Sequence, residues 1–309
     1  MNFITQVLKG KVKWYHYFYG TLLTFFIIQF GSIPLFIARN FADDSHFNPA
    51  NLNPGINNNL FLFLMIIPFG LGLWGIYLSI TKIHKLPFLK VLTARKKLDW
   101  HRFYYGFILW FIVSLLTLVI DFGINPEHYV LNFKLLPFLI LVLVSFLFLP
   151  LQTSFEEVLF RGYLMQGFGV LTRYRIIALV ITSTVFGLLH GANPEVAKLG
   201  NILLIYYIAT GFLFGIVTLM DDGLELTLGL HAANNIVAAI FVTTNWTVFQ
   251  TDALFVDISK PEVNWMLFVP VIVIYPLLLL RLSKKYSWSN WKQKLMGKVK
   301  IPVVETIKD

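Results

Sequence analysis

Two carboxylates, two imidazoles and one amide occur in an otherwise apolar chain at spacings that suit acid–base chemistry. Glu156 and Glu157 follow a long apolar run, His190 ends another, and His231 and Asn235 lie within a third. A carboxylate and an imidazole can together deprotonate a water molecule and later protonate a leaving amine. A neighbouring His and Asn can stabilise the oxyanion of a tetrahedral intermediate. This set is sufficient to hydrolyse an amide bond without a Ser or Cys nucleophile.

The two glutamates stand in the segment E-E-V-L-F-R at 156–161. In a helix, positions four apart share a face, whereas adjacent positions point about 100° apart. Glu157 therefore faces Arg161 in the order that favours an ion pair, and Glu156 lies on another face without a local cation. We interpret Glu157 as structural and Glu156 as available for chemistry. The alternative is a helix end that crosses into the cytoplasm, where such charges are common.

The other polar positions each have a structural alternative. His231 and Asn235 share a helical face and can orient a carbonyl group or bind a metal ion, whereas Asn234 points elsewhere. Both could instead join helices, since His and Asn form hydrogen bonds across membrane helices. A single His in an apolar helix, such as His190, is more often a hydrogen-bonded packing residue. The acidic segment at 221–225 indicates mainly a solvated turn.

Membrane helices are the elements that must position these residues. Of 309 residues, 57% are hydrophobic and 13% are charged, and the mean hydropathy is +0.70. Soluble domains contain about 25% charged residues, so this composition excludes a soluble globular enzyme and a disordered regulator. Cysteine is absent from the sequence, which excludes thiol catalysis, thiolate metal sites and a disulfide scaffold.

Eight segments are long and apolar enough to cross a hydrocarbon core of about 30 Å. They lie at 16–38, 59–81, 103–121, 131–151, 174–192, 199–220, 226–246 and 264–281. The first segment is too long for the apolar region of a signal peptide, so we interpret it as retained. The sequence predicts an all-α, polytopic bundle of about eight transmembrane helices.

The basic residues predict that both termini lie inside. With that orientation, 21 of the 25 Lys and Arg residues fall in cytoplasmic segments, as the positive-inside rule requires. The net charge of +9 then needs no nucleic acid, and we expect none as a partner. Residues 82–102 form a predicted basic cytoplasmic loop. The tail from Lys284, with Trp288 and Trp291, suits an interfacial helix or a solvated tail that only sets topology.

At its polar motifs the sequence resembles the intramembrane proteases of the CAAX-protease and bacteriocin-processing family (CPBP, also called Abi), which includes the type II prenyl-protein endopeptidases. The family pattern is E-E-x-x-x-R, then F-x-x-x-H, then H-x-x-x-N or D, all on membrane helices. The matching residues, in this order, are Glu156, Glu157 and Arg161, then Phe186 and His190, then His231 and Asn235. The resemblance covers about residues 154–240.

The resemblance implies a glutamate-dependent peptidase whose site opens to the cytoplasm. By the same resemblance, Glu156 is the general base and His190 helps to hold the attacking water. His231 and Asn235 would form the oxyanion site. The residues that would support them are Glu157, Arg161 and Phe186.

Metal dependence is left open, because the family has been described both as metal-dependent and as metal-free. A bound Zn²⁺ would have Glu156, His190, His231 and Asn235 as its ligands. An amide oxygen is an unusual zinc ligand, however, and the H-E-x-x-H signature is absent from the sequence. We therefore favour a metal-free mechanism.

The chain divides into residues 1–152, with four spans and the basic loop, 153–247, the catalytic core, and 248–309, the last span and tail. We expect a multi-pass plasma-membrane endopeptidase whose partners are the lipid bilayer and a membrane-associated protein or peptide substrate. The alternative is a non-catalytic family member that binds or chaperones a membrane partner. A proton-coupled transporter ranks last, since it predicts inverted repeats and the polar set is confined to the C-terminal half.

Overall fold

The computed structural model describes residues 2–41, 47–48 and 52–301, so residues 302–309 of the predicted tail lie outside the described part. The described α-helices are α1 (Trp14–Phe41), α2 (Asn58–Leu78), α3 (Leu89–Leu92), α4 (Trp100–Ile124), α5 (Leu135–Glu157), α6 (Met165–Thr172), α7 (Arg175–Leu189), α8 (Pro194–Leu199), α9 (Leu203–Asp221), α10 (Glu225–Ile240), α11 (Tyr275–Tyr286) and α12 (Trp291–Met296). The strands are β1 (Tyr129–Leu131), β2 (Val242–Thr243) and β3 (Phe255–Asp257).

Seven helical segments in the described ranges are long and apolar enough to span a membrane. They coincide with seven of the predicted spans and confirm the all-α bundle. The eighth predicted span, 226–246, is represented by α10, which has only 16 residues and is almost entirely buried. Because α10 packs against α4, α5 and α9, it is shielded from lipid and is not held to the length and apolarity of a lipid-facing helix.

Both described ends of the chain lie at the same end of the bundle. The backbone N–H of Phe3 donates to Asp222 Oδ1 at 3.2 Å, and Lys294 pairs with the other oxygen of that carboxylate. α10 leaves this end beside α4, and the N–H of Leu224, just before α10, donates to the carbonyl of Leu92 of α3 at 2.8 Å. α10 reaches the opposite end of the bundle at β2. Because both described ends of the chain lie at the same end, the chain crosses the bundle an even number of times. Which end faces the cytoplasm stays a prediction.

α5 and α6 belong to one continuous helix of 38 residues, Leu135–Thr172. The predicted span 131–151 therefore continues well beyond its expected end. Residues Val158–Leu164 form a π-helical segment within this helix. Such segments in α-helices are frequent at functional sites, and this one begins directly after Glu157.

A small sheet closes the end of the bundle that lies away from the termini. β1 pairs with β3 antiparallel, with Tyr129 opposite Asp257, and β2 pairs with β3 in parallel, with Val242 opposite Phe255. The segment at 244–249 leads from β2 towards β3 and lines a cavity that polar residues of α10 also line. The sheet thus fixes the segment that borders the site.

Candidate active site

Glu157 and Arg161 form the buried ion pair that their spacing predicts. Arg161 Nη1 donates to Glu157 Oε1 at 3.0 Å, and both side chains are fully buried. Arg161 Nη2 also donates to the carbonyl of Gly211 on α9 at 3.2 Å. The guanidinium carbon lies 4.1 Å from the ring centroid of Phe186 on α7. A buried charge is tolerated only when it is paired and hydrogen-bonded, so this pair fixes three helices against one another.

His231 of α10 lies between the two glutamates. Its Nδ1 is 2.8 Å from Glu157 Oε1, and its Nε2 is 3.7 Å from Glu156 Oε2. An ionised carboxylate only accepts hydrogen bonds, so Nδ1 is the donor to Glu157, and Nε2 faces Glu156. The ring packs against Phe214 at 5.0 Å between centroids. Glu157 therefore orients His231 as well as pairing with Arg161, a contact that sequence reasoning did not identify.

Glu156 has no ion pair with an arginine or lysine within the described residues, as its place in the motif predicts. Its Oε1 accepts a hydrogen bond from Gln152 Nε2 at 3.2 Å, and its side chain is 12% exposed. Its other oxygen faces His231. This carboxylate is thus held by neutral or titratable groups and has access to a cavity.

His190 directly follows α7 and is held by a hydrogen bond and by ring contacts. Its Nδ1 donates to the carbonyl of Phe186 at 2.8 Å, which leaves Nε2 as an acceptor. The ring stacks on Tyr207 with 4.3 Å between centroids. The hydroxyl of Tyr207 donates to the buried Glu195 at 2.6 Å, whose second oxygen accepts the N–H of Val248 at 3.0 Å. Sequence reasoning missed Tyr207 and Glu195, for which no motif gave a signal.

Asn235 is linked to Glu156 through a residue that the motifs do not include. Asn235 Nδ2 donates to Gln152 Oε1 at 3.3 Å. Asn234, expected to point elsewhere, donates to Asn235 Oδ1 and accepts from Trp110 Nε1, each at 3.1 Å. That expectation was wrong, because Asn234 also lines the cavity. The four-residue spacing from Gln152 to Glu156 could have identified Gln152.

All four predicted catalytic residues line one cavity of about 330 Å³. They are Glu156, His190, His231 and Asn235. A second, more apolar cavity of about 360 Å³ extends between α1, α2 and α5 and shares Glu156, His190 and Phe186 with the first. The general base candidate therefore lies where the two cavities meet. The catalytic roles of these residues stay predictions.

The acidic segment at 221–225 is not the solvated turn that the sequence indicates. Asp221 pairs with Arg95 at 2.9 Å and also with Arg102, and Glu225 pairs with Arg95 at 3.0 Å. The side chains of Asp221 and Glu225 are 1% and 2% exposed. The segment is an ion-pair cluster at the end of the bundle that holds the termini.

The four residues named from the sequence as possible zinc ligands line one cavity. Across the described ranges, no three His, Asp or Glu side chains are grouped closely enough to hold a metal ion. Glu156 and Nε2 of His231 could supply two ligands, and the bond of Nδ1 to Glu157 would be compatible with this. The metal-free mechanism stays a prediction, and no step below depends on a metal ion.

Comparison with known proteins agrees with the motifs. Residues 134–237 match the family described as type II CAAX prenyl endopeptidase Rce1-like. The chain is also similar to the uncharacterized protein YyaK of Bacillus subtilis (strain 168), with 29% identity over 284 residues that cover 88% of this chain and 93% of the relative. No solved structure matches the chain.

The matched segment runs from α5 to α10 and contains every motif residue from Glu156 to Asn235. The apolar helices and this match together make the chain an integral membrane protein. Residues 134–237 are therefore similar to the type II CAAX prenyl endopeptidases of the Rce1-like family, which confirms the resemblance that the three motifs carry.

Proposed function

We propose that the chain is an intramembrane endopeptidase that hydrolyses a peptide bond of a membrane-associated protein or peptide with a water activated by Glu156. The observation that carries this proposal is the meeting of Glu156, His190, His231 and Asn235 at one cavity between membrane helices. The family match over the same helices supports the reaction class.

In the first step, Glu156 takes a proton from water while the free Nε2 of His190 accepts the other hydrogen and orients the oxygen. The oxygen attacks the peptide carbonyl and forms a tetrahedral oxyanion. Asn235 donates to this oxyanion from Nδ2. His231 donates when Nε2 carries a proton, and Glu157 at 2.8 Å stabilises the resulting cation.

In the second step, the intermediate collapses and the C–N bond breaks. The proton held by Glu156 passes to the leaving nitrogen, so the products are a carboxylic acid and an amine. The same carboxylate thus acts first as base and then as acid. The apolar cavity beside Glu156 offers room for apolar side chains of the substrate.

The side from which substrate enters is a second part of the proposal. The cavity is bordered by Asn193 and by the segment 244–249, which lie towards the end of the bundle away from both termini. If the basic residues place the termini inside, the site lies in the outer half and does not open to the cytoplasm as the resemblance implies. We keep the orientation given by the 21 of 25 basic residues and propose entry from the outer half of the membrane.

Comparative proteomics of membranes from cells that contain wild type or Glu156→Gln tests the reaction. We expect membrane peptides that accumulate uncut with the variant, and loss of cleavage of about 100-fold or more in purified protein. Glu127→Gln is the matched control, because Glu127 is exposed and remote from the cavity. Equal cleavage by wild type and Glu156→Gln would remove this mechanism.

The absence of native cysteine allows a clean test of entry. Thr247→Cys, beside the cavity, and Ser289→Cys, at the end that holds the termini, are labelled in intact cells with a membrane-impermeant maleimide. We expect labelling at position 247 alone. Labelling at position 289 alone would place the site towards the cytoplasm.

A further inference from the structure

A series of four hydrogen bonds leads from α4 to Glu156. Trp110 Nε1 donates to Asn234 Oδ1 at 3.1 Å, and Asn234 Nδ2 donates to Asn235 Oδ1 at 3.1 Å. Asn235 Nδ2 donates to Gln152 Oε1 at 3.3 Å. Gln152 Nε2 then donates to Glu156 Oε1 at 3.2 Å. Each amide accepts from the preceding residue and donates to the next, so all four bonds run in one direction.

The two end groups determine this direction. An indole N–H can only donate, and an ionised carboxylate can only accept. Each amide between them has one oxygen and one NH₂ group, so turning any one amide would replace two hydrogen bonds by contacts between like groups. The orientation of all three amides therefore follows from the chemistry of Trp110 and Glu156.

We propose that Trp110, Asn234 and Gln152 are positioning residues that orient the Glu156 carboxylate and the Asn235 amide for peptide hydrolysis. This inference rests on the proposed function. The series occupies Oε1 of Glu156, so Oε2 is directed to His231, 3.7 Å away. It also commits one Nδ2 hydrogen of Asn235, which leaves the second hydrogen for the oxyanion.

The proposal gives the first half of the chain a part in the site. Trp110 is buried and lies on α4, outside the residues 134–237 that match the family. Its indole also packs beside Tyr275 of α11, with 6.0 Å between ring centroids. A helix without any motif residue would thus set the geometry of the reacting carboxylate from a distance.

The kinetic test uses Trp110→Phe and Gln152→Met, which keep side-chain bulk and remove hydrogen bonds. We expect kcat to fall about tenfold in Gln152→Met and about threefold in Trp110→Phe, with KM unchanged, because orientation of the base is lost and substrate binding is not. Since the bonds are in series, the loss in the double variant should be well below the product of the two single losses. Losses that multiply in the double variant would show independent packing defects and overturn the proposal.

Tyr275→Phe is the matched control. The hydroxyl of Tyr275 is hydrogen-bonded to Thr210 at 2.7 Å and also to Tyr206, so this variant removes buried hydrogen bonds beside Trp110 without touching the series. We expect its kcat to equal that of wild type. A loss as large as that of Trp110→Phe would show that any buried hydrogen bond here has the same effect, and would overturn the positioning role.

A second measurement does not depend on activity. The indole N–H signal of Trp110 is observed by NMR in the full chain in micelles and is identified by its absence from Trp110→Phe. Gln152→Met, three bonds along the series, should move it upfield because polarisation along hydrogen-bonded groups is cooperative. An unmoved signal would overturn the series as a coupled unit. If the signal moves in Gln152→Met but the wild-type protein cleaves no substrate, the series is retained and only the proposed function is overturned.

Discussion

Two buried charge clusters in this molecule differ in how their carboxylates are compensated. The arginine-paired cluster, at the end of the bundle that holds the termini, consists of Arg95, Asp99, Arg102, Asp221 and Glu225. Each of its three carboxylates contacts a guanidinium group. Arg95 joins Asp221 to Glu225, and Arg102 joins Asp221 to Asp99.

The site cluster consists of Glu156, Glu157, Arg161 and His231. Its one guanidinium contacts Glu157, and Glu156 is left facing a histidine and an amide. A histidine changes its charge within the physiological pH range, whereas an arginine does not. A carboxylate whose charge is always balanced by an arginine is typical of a structural cluster. A buried carboxylate without such a partner is a candidate for chemistry. The difference can be tested variant by variant.

The largest effect is expected within the site cluster itself. Glu157→Gln leaves Arg161 fully buried without a carboxylate, so we expect the free energy of unfolding to fall by roughly 3–5 kcal/mol. Glu156→Gln removes no ion pair with an arginine and should change it by less than about 0.5 kcal/mol. Unfolding by SDS in mixed micelles measures both variants. Equal losses would erase the distinction between the neighbouring glutamates.

The second effect lies in the arginine-paired cluster. Asp221→Asn removes a carboxylate shared by two arginines, and we expect a loss of about 2 kcal/mol because both arginines are partly exposed. Cleavage per folded molecule should be unchanged. Asp222→Asn is the control, since Asp222 pairs with Lys294 near the surface and should cost less than about 1 kcal/mol. Loss of cleavage in folded Asp221→Asn would connect this cluster to the chemistry.

Arg161→Lys is expected to have a smaller effect, because it keeps the charge and removes the planar fork. Lysine cannot hold Glu157, the Gly211 carbonyl and the Phe186 ring together as Arg161 does. We expect a loss of about 1–2 kcal/mol in unfolding free energy and about tenfold in kcat, since Glu157 also orients His231. A variant with wild-type stability and kcat would show that charge alone is sufficient.

The sequence was sufficient where the determining interactions are local. Hydropathy located seven spans, and four-residue spacing predicted the Glu157–Arg161 pair, which is present at 3.0 Å. The same spacing would have found Gln152 beside Glu156. The length of α10 could not be predicted in this way. Because α10 is buried against other helices, it need not be as long or as apolar as a helix that faces lipid.

Contacts between residues that are far apart in the chain produce no hydropathy or spacing pattern in the sequence. Glu157 and His231 are 74 positions apart, and Asp221 meets an arginine 126 positions away. The interpretation of 221–225 as a solvated turn was wrong, because no sequence pattern near this segment indicates its ion pairs with Arg95. Stacking of Tyr207 on His190 likewise depends on how α7 and α9 pack.

Glu195 tests the comparison between arginine-paired carboxylates and Glu156, because it is a third kind of buried carboxylate. No cation pairs with it within the described residues, yet its oxygens accept from Tyr207, Asn193 and Val248. These neutral donors satisfy it, so we expect a positioning role through Tyr207. Glu195→Gln should lower kcat by about threefold to tenfold, because an amide cannot accept from all three donors.

The same cleavage assay compares Glu195→Gln with Tyr207→Phe, which loses only the hydroxyl that contacts Glu195. The two variants should have similar activity if Glu195 acts through Tyr207. A loss in Glu195→Gln as large as in Glu156→Gln would make Glu195 a second reacting carboxylate.

The smallest effect is expected at Asp99, the most exposed member of the arginine-paired cluster. Partial burial alone would raise the pKa of this carboxyl, but hydrogen bonds from the backbone and side chain of Arg102, and the charges of Arg102 and Arg95, lower it below its ordinary value. A carboxylate with a lowered pKa stabilises the fold above its unfolded pKa, and this contribution is lost as the pH falls through the folded pKa.

Asp99→Asn is therefore expected to cost less than about 1 kcal/mol at neutral pH, and the variant and wild type should converge in unfolding free energy as the pH falls below about 4. The asparagine oxygen can still accept the backbone N–H of His101, which Asp99 binds at 3.1 Å, so the helix cap is kept and only the charge is removed. A cost that does not change with pH would assign the contribution of Asp99 to the cap. In that case the arginine-paired cluster would consist of the buried pairs of Asp221 and Glu225 alone, and the comparison with the site cluster would rest on fully buried carboxylates.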